Sequence, residues 1–236
     1  MKIGINQPNF FSWLGYFDLL DTVDIFVVLD NVLFGNKPKR INRNFIVNKN
    51  GKLVPLTLSI KHNSKTSLIN ECIIIKDKNY LSHLNIIKEY YRDAPYFKKV
   101  MSLIEEIYDY PSVNLSEFNT NLIKKIFFLI FNKEIQIKLA SKDFNNKEYN
   151  NEDYFIKISR SLNCKEYFTF QNGFKNKLYD PNNFNKNDIA FYYQSYMHPK
   201  YNKKNFVKYA SILDLLFYDY PNAKDIIRSG RNWIKV

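Results

Sequence analysis

The stretch of sequence that decides the fold runs Met1-Lys2-Ile3-Gly4-Ile5-Asn6-Gln7-Pro8-Asn9-Phe10-Phe11-Ser12-Trp13-Leu14-Gly15-Tyr16-Phe17. It indicates a short apolar strand, then a polar turn, then a helix rich in aromatic residues. In a parallel α/β sheet, ligands bind in the crevice outside the carboxyl ends of the strands. Asn6 and Gln7 end this strand, and their amides can donate and accept hydrogen bonds. We therefore predict a binding crevice that begins at these two residues; a turn with incidental polar side chains is the competing interpretation.

The rest of the chain alternates between helix-like and strand-like segments. Residues 14–21 are predicted to form a helix, and the continuous apolar run at 24–29 a strand that is buried on both faces. Further strands are predicted at 134–140, 167–170 and 189–193. A helix is predicted at 154–162 and a closing helix at 212–218, with Ser211 and Asp214 in the spacing of a capping box.

Two insertions interrupt this rhythm. Asn50-Gly51 between apolar runs at 45–47 and 52–60 predicts a β-hairpin, and residues 72–75 a further strand. From about residue 80 to 132 the apolar spacing is helical, and Ala94-Pro95 and Tyr110-Pro111 divide it. We therefore predict one α/β domain over residues 1–236. Its fold would be a Rossmann-like three-layer sandwich with a mostly parallel sheet, an inserted hairpin and a helical insertion or cap.

The charge balance favours partners that carry phosphate. The 236 residues include 35 Lys and Arg against 23 Asp and Glu, a formal net charge of +12. Part of this excess is solvated surface, because lysine predominates and the composition is typical of AT-rich coding. The run Lys37-Pro38-Lys39-Arg40-Ile41-Asn42-Arg43-Asn44 gathers four cations, of which Arg43 could hold a phosphate or carboxylate through two hydrogen bonds. A nucleotide diphosphate, a coenzyme phosphate or an RNA backbone would fit.

Several other classes are disfavoured. No run of some 18 uncharged apolar residues occurs, so the apolar run at 126–131 is predicted to be a buried helix and no membrane insertion is expected. The first residues lack the pattern of a signal peptide, which predicts a cytoplasmic location. Cys72 and Cys164 are isolated, which argues against a zinc site or a disulfide framework, and no metal is expected.

The candidate catalytic residues are few. His198 follows a predicted strand, so we expect it at the edge where α/β enzymes keep their sites, with a surface loop as the alternative. His83 lies on a predicted helix, where packing is the competing role. Asp30 ends the second strand and could bind a sugar hydroxyl in the crevice, unless it caps the following turn. Tyr16 offers a flat face for stacking, or belongs to the core.

Phosphate-binding loops of the standard kinds are absent. With six glycines, the sequence contains neither Gly-x-Gly-x-x-Gly nor a glycine-rich loop that ends in Gly-Lys-Ser or Gly-Lys-Thr. We therefore expect any bound phosphate to be held by side chains and a helix terminus.

Several motifs carry a resemblance, and they occur in order along nearly the whole chain. They are Asn6-Gln7-Pro8, Trp13-Leu14-Gly15-Tyr16-Phe17, Asn42-Arg43-Asn44, His83, Ala94-Pro95-Tyr96-Phe97 and His198-Pro199-Lys200-Tyr201. With these motifs the chain resembles the WbqC-like family, whose members sit among bacterial surface-polysaccharide genes. That family often has His where this chain has Asn6, so we expect no proton transfer at that position.

The resemblance implies a transferase of O-antigen or capsule biosynthesis. It would attach an acyl group, for example a glycyl group, to the amino group of a UDP- or dTDP-linked dideoxy amino sugar. The donor would be an activated amino acid, an acyl carrier or an aminoacyl-tRNA. On this hypothesis His198 or His83 is the base and Gln7 helps to position the reacting groups. The nucleotide sugar would be held by Asn6, Tyr16, Asp30, Arg43 and Asn44.

Two other functions stay open. Strand, polar turn and helix also begin the nucleotidyltransferase folds, but those need a pair of histidines or an equivalent, which residues 6–9 lack. A non-catalytic protein that binds RNA or sugar through its basic residues and tyrosines is the third possibility.

Overall fold

A computed structural model describes residues 1–35, 40–62, 66–144, 151–176 and 178–236. The strands in these ranges are β1 Lys2–Asn6, β2 Ile25–Val28, β3 Arg43–Val47, β4 Leu53–Thr57, β5 Ile60–Lys61, β6 Ile73–Ile74, β7 Gln136–Leu139, β8 Glu166–Phe170, β9 Ala190–Gln194 and β10 Trp233–Lys235. The α-helices are α1 Leu14–Thr22, α2 Lys78–Tyr91, α3 Phe97–Tyr108, α4 Leu115–Phe131, α5 Ala140–Asp143, α6 Asn151–Ser161, α7 Gln171–Lys175, α8 Pro181–Lys186, α9 Ile212–Asp219 and α10 Ala223–Ser229. Short 3₁₀ turns lie at Ile69–Glu71 and Tyr220–Asn222.

Within the described ranges, six strands form the central sheet in the order β10-β9-β8-β1-β2-β7. All neighbours pair in parallel except β9 and β10, which are antiparallel. Starting from β1, the chain adds β2 and β7 on one side and then β8 and β9 on the other. This order is that of doubly wound sheets. The predicted α/β class and mostly parallel sheet are confirmed, and the architecture is compatible with a Rossmann-like sandwich.

The side chains of the sheet alternate between two apolar cores. Ile3, Ile5, Val27 and Tyr167 point to one face, where they pack against α6 and α8. Phe26, Val28 and Phe168 belong to the other core, which contains α1, α4, α9 and α10. Because successive residues of a strand point to opposite faces, a strand with apolar residues at every position must be covered on both sides. The sheet is therefore the middle layer of three.

The insertions between β2 and β7 lie where they were predicted. β3 and β4 pair in antiparallel register from Arg43 with Thr57 to Val47 with Leu53, around a turn at Gly51 with φ +75°. Helices α2, α3 and α4 occupy the segment that was predicted to be helical, and their buried residues join the α1 side of the sheet. β5 and β6 form a separate two-stranded sheet.

The end of the chain differs from the prediction in two respects. The helix α9 is not the closing element, because α10 and the edge strand β10 follow it. Ser211 caps α9 by accepting from the Leu213 N–H at 3.2 Å, as the sequence indicated. Asp214 does not complete a capping box, because its carboxylate accepts instead from Tyr91, Tyr201 and Lys203.

The apolar run at 126–131 belongs to α4, whose buried residues pack in the core. No helix in the described ranges combines the length and apolar content that crossing a membrane requires.

Candidate functional site

A cavity of about 990 Å³ opens at the carboxyl edge of the sheet. It lies beside the ends of β1 and β8, the neighbouring strands between which the direction of strand addition reverses. Open α/β sheets bind ligands at this point, because the connections that leave the two strands diverge to opposite faces and leave a crevice. The crevice predicted at the end of the first strand is therefore present.

Neutral amides and aromatic rings make up most of the cavity wall. The amide side chains are Asn6, Gln7, Asn9, Asn31, Gln171, Asn172 and Gln194. The aromatic side chains are Trp13, Phe155, Phe170, Tyr179, Tyr196 and Tyr209. Arg40 is the cation among the lining residues that the structure describes, and no described carboxylate or imidazole lines the cavity. The wall can stack on a ring, exchange hydrogen bonds with hydroxyl groups and attract an anion.

Hydrogen bonds to its backbone fix the turn that follows β1. Asn6 Oδ1 accepts from the Gln7 N–H at 2.8 Å, and the Tyr16 hydroxyl donates to the Gln7 carbonyl at 2.9 Å. Asn119 on α4 donates to the Pro8 carbonyl at 2.9 Å. With its backbone fixed, the Gln7 side chain is free to face the cavity.

Asn44 supports the same turn and also Arg40. It is buried, and its Nδ2 donates to the carbonyls of Phe10 and Phe11 at 3.0 and 2.7 Å. Its Oδ1 accepts from Arg40 Nη1 at 2.7 Å and from the Phe45 N–H at 2.9 Å. Arg40 also lies over the Phe45 ring, with 5.2 Å from Cζ to the ring centroid. These contacts hold the guanidinium at the cavity.

Trp13 is the centre of the aromatic wall. Its indole packs edge-on against Tyr196 at 5.4 Å and Tyr209 at 5.7 Å, and lies 6.1 Å from Phe170. A Cβ atom on residue 15 would lie only 2.2 Å from the indole. Gly15 is therefore required by the way the ring folds over the start of α1, which gives a physical reason for glycine in the Trp-Leu-Gly-Tyr motif.

Four of the sequence-predicted site residues lie in the cavity wall or directly support it. Asn6 and Gln7 line the cavity. Tyr16 and Asn44 do not line it but hold residues that do. The Tyr16 ring is fully buried, where burial raises the pKa of its hydroxyl far above the usual value, so it cannot offer a stacking face to a ligand.

The prediction that Asp30 points into the crevice is wrong. Asp30 is 1% exposed, and its carboxylate accepts from Ser116 Oγ, Ser141 N and Ser141 Oγ at 2.8 to 2.9 Å. It thus joins the end of β2 to α4 and α5 and does not cap the turn that follows it. The neighbouring Asn31 lines the cavity instead.

Arg43 was also predicted to line the pocket, and this is wrong. It lies on β3, and its Nε donates to Thr57 Oγ1 on the partner strand at 2.8 Å. The cation at the cavity is Arg40, from the same basic run. Lys37 and Lys39 of that run lie outside the described residues.

His198 was predicted to contribute to the same cleft, but it lies behind the wall. Its ring stacks on Trp13 at 6.4 Å, and its Nε2 accepts from the Tyr209 N–H at 3.4 Å. Its Nδ1 has no partner among the described residues. Burial, aided by the charge of Lys208, lowers the pKa of His198 to about 4. Because the Nε2 lone pair accepts this hydrogen bond, the neutral imidazole has no free lone pair with which to act as a base. His198 instead packs against Trp13 and Tyr209 and supports their positions.

His83 does not line the cavity and lies on α2, inside the helical insertion. Its Nδ1 lies 2.8 Å from the Tyr108 hydroxyl, and it also hydrogen-bonds the Thr57 backbone. Burial lowers its pKa to about 4. These contacts tie α2 to α3 and to the hairpin, which matches the packing role that competed with catalysis.

The sequence interpretation did not select Gln171, Asn172 and Gln194. Each of them follows or ends a parallel strand, as Asn6 does, so the same rule of strand ends could have found them. The two cysteines are buried, and burial raises the pKa of Cys72 to about 11. Across the described ranges, no three histidine, cysteine, aspartate or glutamate side chains converge in a way that could hold a metal ion.

Comparison with known proteins gives a family match and one curated relative. The chain is 30% identical over 129 residues to the uncharacterized protein Rv1507c of Mycobacterium tuberculosis (strain ATCC 25618 / H37Rv). That match covers 53% of this chain and 54% of the relative, so the chain spans about half the length of the curated protein it matches. No solved structure matches. The sequence model of the WbqC-like protein family matches residues 7–226, which contain the turn, the aromatic wall and Arg40. The chain therefore belongs to the WbqC-like protein family.

Proposed function

We propose that this protein binds a nucleotide-linked amino sugar in the cavity and transfers an acyl group, such as an aminoacyl group, to the sugar's amino group. One observation carries the proposal: amides, aromatic rings and the Arg40 guanidinium line a single cavity at the switch point of the sheet. A nucleotide sugar presents the matching features, namely a base or sugar ring that stacks, many hydroxyls and a diphosphate.

Arg40 has the chemistry that a diphosphate needs. A guanidinium donates several hydrogen bonds in a fixed plane, and hydrogen bonds between charged partners are about twice as strong as neutral ones. Since the described wall has no carboxylate, no anionic side chain there competes with a phosphate for Arg40. The excess of basic residues supports the same kind of ligand through long-range attraction.

The proposed reaction needs little acid–base help from the protein. The neutral amine of the sugar attacks the carbonyl carbon of an activated acyl donor and forms the C–N bond. The donor's C–O or C–S bond then breaks, and the proton lost from nitrogen goes to the departing oxygen or sulfur. In place of a protein base, Gln7 and Asn172 offer N–H groups that can stabilise the oxyanion during the attack.

Mass spectrometry tests the transfer directly. The protein is incubated with UDP- and dTDP-linked 4-amino-4,6-dideoxy sugars and with glycine as a thioester, as an adenylate or on tRNA. The expected product is heavier by one glycyl residue in one of these combinations. Binding of the nucleotide sugars without any product would instead support the non-catalytic alternative, which the lack of an imidazole or carboxylate on the described wall favours.

Calorimetric titration with dTDP and UDP tests the binding site. Arg40→Met should weaken the affinity by about tenfold or more, because a charge-assisted hydrogen bond contributes about 1.5 to 3 kcal/mol. Arg43→Met is the matched control and should leave the affinity unchanged, since Arg43 bonds Thr57 on the hairpin. Equal effects of the two substitutions, or no effect of Arg40→Met, would contradict the placement of the diphosphate.

A further inference from the structure

The Gln194 side chain is held in one orientation by groups that can only accept hydrogen bonds. Gln194 ends β9 and is 3% exposed. Its Nε2 lies 2.9 Å from the Gly15 carbonyl and 2.9 Å from Asp18 Oδ2. A carbonyl and a carboxylate each require a donor, so the amide nitrogen must occupy this position and the amide cannot flip.

Asp18 is in turn fixed by charge. Arg231 Nε donates to Asp18 Oδ1 at 2.6 Å, and Arg231 Nη2 donates to Asp21 Oδ2 at 2.6 Å. Asp18 and Asp21 are fully buried as side chains. Both oxygens of Asp18 therefore accept hydrogen bonds, which is the arrangement of an ionised carboxylate. The chain of contacts runs from Arg231 through Asp18 to the cavity wall.

The remaining polar atom of Gln194 is Oε1, and it can only accept. Gln194 lines the cavity, and both hydrogen bonds that its side chain makes to described residues are donated by Nε2. Both hydrogens of the amide are already used on Gly15 and Asp18. The acceptor atom of Gln194 is thus available to a ligand group in the cavity, and a ligand that places a donor there gains a hydrogen bond.

We propose that Gln194 Oε1 makes the protein selective for an amino sugar by accepting a hydrogen bond from an N–H of the sugar's amino group. Asp18 is the positioning residue, because it fixes which end of the Gln194 amide faces the cavity. The inference rests on the proposed function for the identity of the sugar. An amide is too weak a base to take the proton. Its contribution is to bind one N–H, which orients the lone pair of the neutral amine towards the acyl carbon.

A matched pair of ligands tests whether Gln194 accepts a hydrogen bond from the sugar. dTDP-4-amino-4,6-dideoxyglucose carries a donor at C4, whereas dTDP-4-keto-6-deoxyglucose carries only an acceptor there. The corresponding UDP-linked pair is titrated in parallel. Unmodified protein should bind the amino sugar at least about tenfold more tightly than the keto sugar, since a buried acceptor opposite a carbonyl loses its partner.

Gln194→Met keeps the length of the side chain and removes the acceptor, so the ratio of the two affinities should fall to near one. Asp18→Asn should also lower the ratio, because Arg231 would hold the asparagine oxygen and leave a donor facing the Gln194 nitrogen. Gln136→Met, on the edge strand β7 and not among the residues that line the cavity, is the control and should keep the wild-type ratio. Melting temperatures show whether each variant folds.

The outcomes separate this inference from the proposed function. If the nucleotide sugars bind but Gln194→Met keeps the wild-type ratio, or if the unmodified protein binds both sugars equally, the role of Gln194 is refuted and the nucleotide-sugar site stands. If neither dTDP, UDP nor their sugars bind the unmodified protein, the proposed function fails and this inference fails with it.

Discussion

The Trp13 indole occupies the space that a Cβ atom on residue 15 would need, and this predicts an unusual mutational cycle. A Cβ atom on residue 15 would lie 2.2, 2.4 and 2.7 Å from three atoms of the indole. Ordinary contacts begin near 3.4 Å, so in Gly15→Ala the ring must move by more than 1 Å. Such overpacking costs about 1 to 3 kcal/mol. Alanine would by itself favour the helix over glycine by about 0.5 to 1 kcal/mol.

The two effects separate when the indole is removed. In a Trp13→Ala background the clash is absent, so Gly15→Ala should become neutral or stabilising by up to about 1 kcal/mol. In the unmodified protein the same substitution should destabilise by about 1 to 2 kcal/mol. The coupling energy between the two positions should therefore reach about 1 to 3 kcal/mol.

Urea denaturation of the four proteins, followed by circular dichroism, measures this coupling. The slope of unfolding free energy against urea must agree among the variants for the comparison to hold. Fluorescence of Gly15→Ala gives a second readout, because a displaced Trp13 changes its emission while Trp233 serves as reference. The reasoning is refuted if Gly15→Ala has the same cost with and without the Trp13 indole.

Three further predictions concern burial and charge. The pKa of His83 is about 4 in the folded protein and near 6.5 when unfolded, so the unfolded state binds more protons between these values. The stability present above pH 6.5 should thus be lost as the pH falls towards 4, and His83→Gln should flatten a plot of urea midpoint against pH; an unchanged slope would contradict this. Lys203→Met should cost roughly 3 kcal/mol in urea melts, because it strips the cation from the fully buried Asp214. Lys49→Met, in the exposed pair with Asp93, should change stability by less than about 0.5 kcal/mol, and similar losses for both would be the contrary result. Gln7→Glu should melt as the unmodified protein does but bind dTDP and UDP more weakly, since it places a carboxylate on the cavity wall; unchanged affinity would remove Gln7 from the site.

Local patterns were sufficient to predict most of the elements. The first strand and helix, the buried second strand, the hairpin around Gly51 and the three inserted helices each have a periodicity or turn signal within a few residues. The short edge strand β10 was not predicted, because its three residues carry too little pattern and it exists through antiparallel pairing with β9.

The candidate site depended on the tertiary structure to a much larger extent. The sequence by itself determined that polar residues follow apolar strands, and hence that Asn6 and Gln7 would stand at the crevice. It could not distinguish Arg40 from Arg43, because the hairpin turns one towards the cavity and pairs the other with Thr57.

Three of the predicted site residues, Asp30, His83 and His198, form hydrogen bonds inside the fold. No local sequence pattern identifies their partners, which are Ser141, Tyr108 and Tyr209. Gln194 was not selected from the sequence but lines the cavity. The orientation of its amide is fixed by Asp18, which lies 176 positions away in the chain. Periodicity in a sequence reports which face of an element is buried. Which polar atom of a side chain is turned towards a ligand site depends on contacts between elements far apart in the chain, and only the tertiary structure decides those.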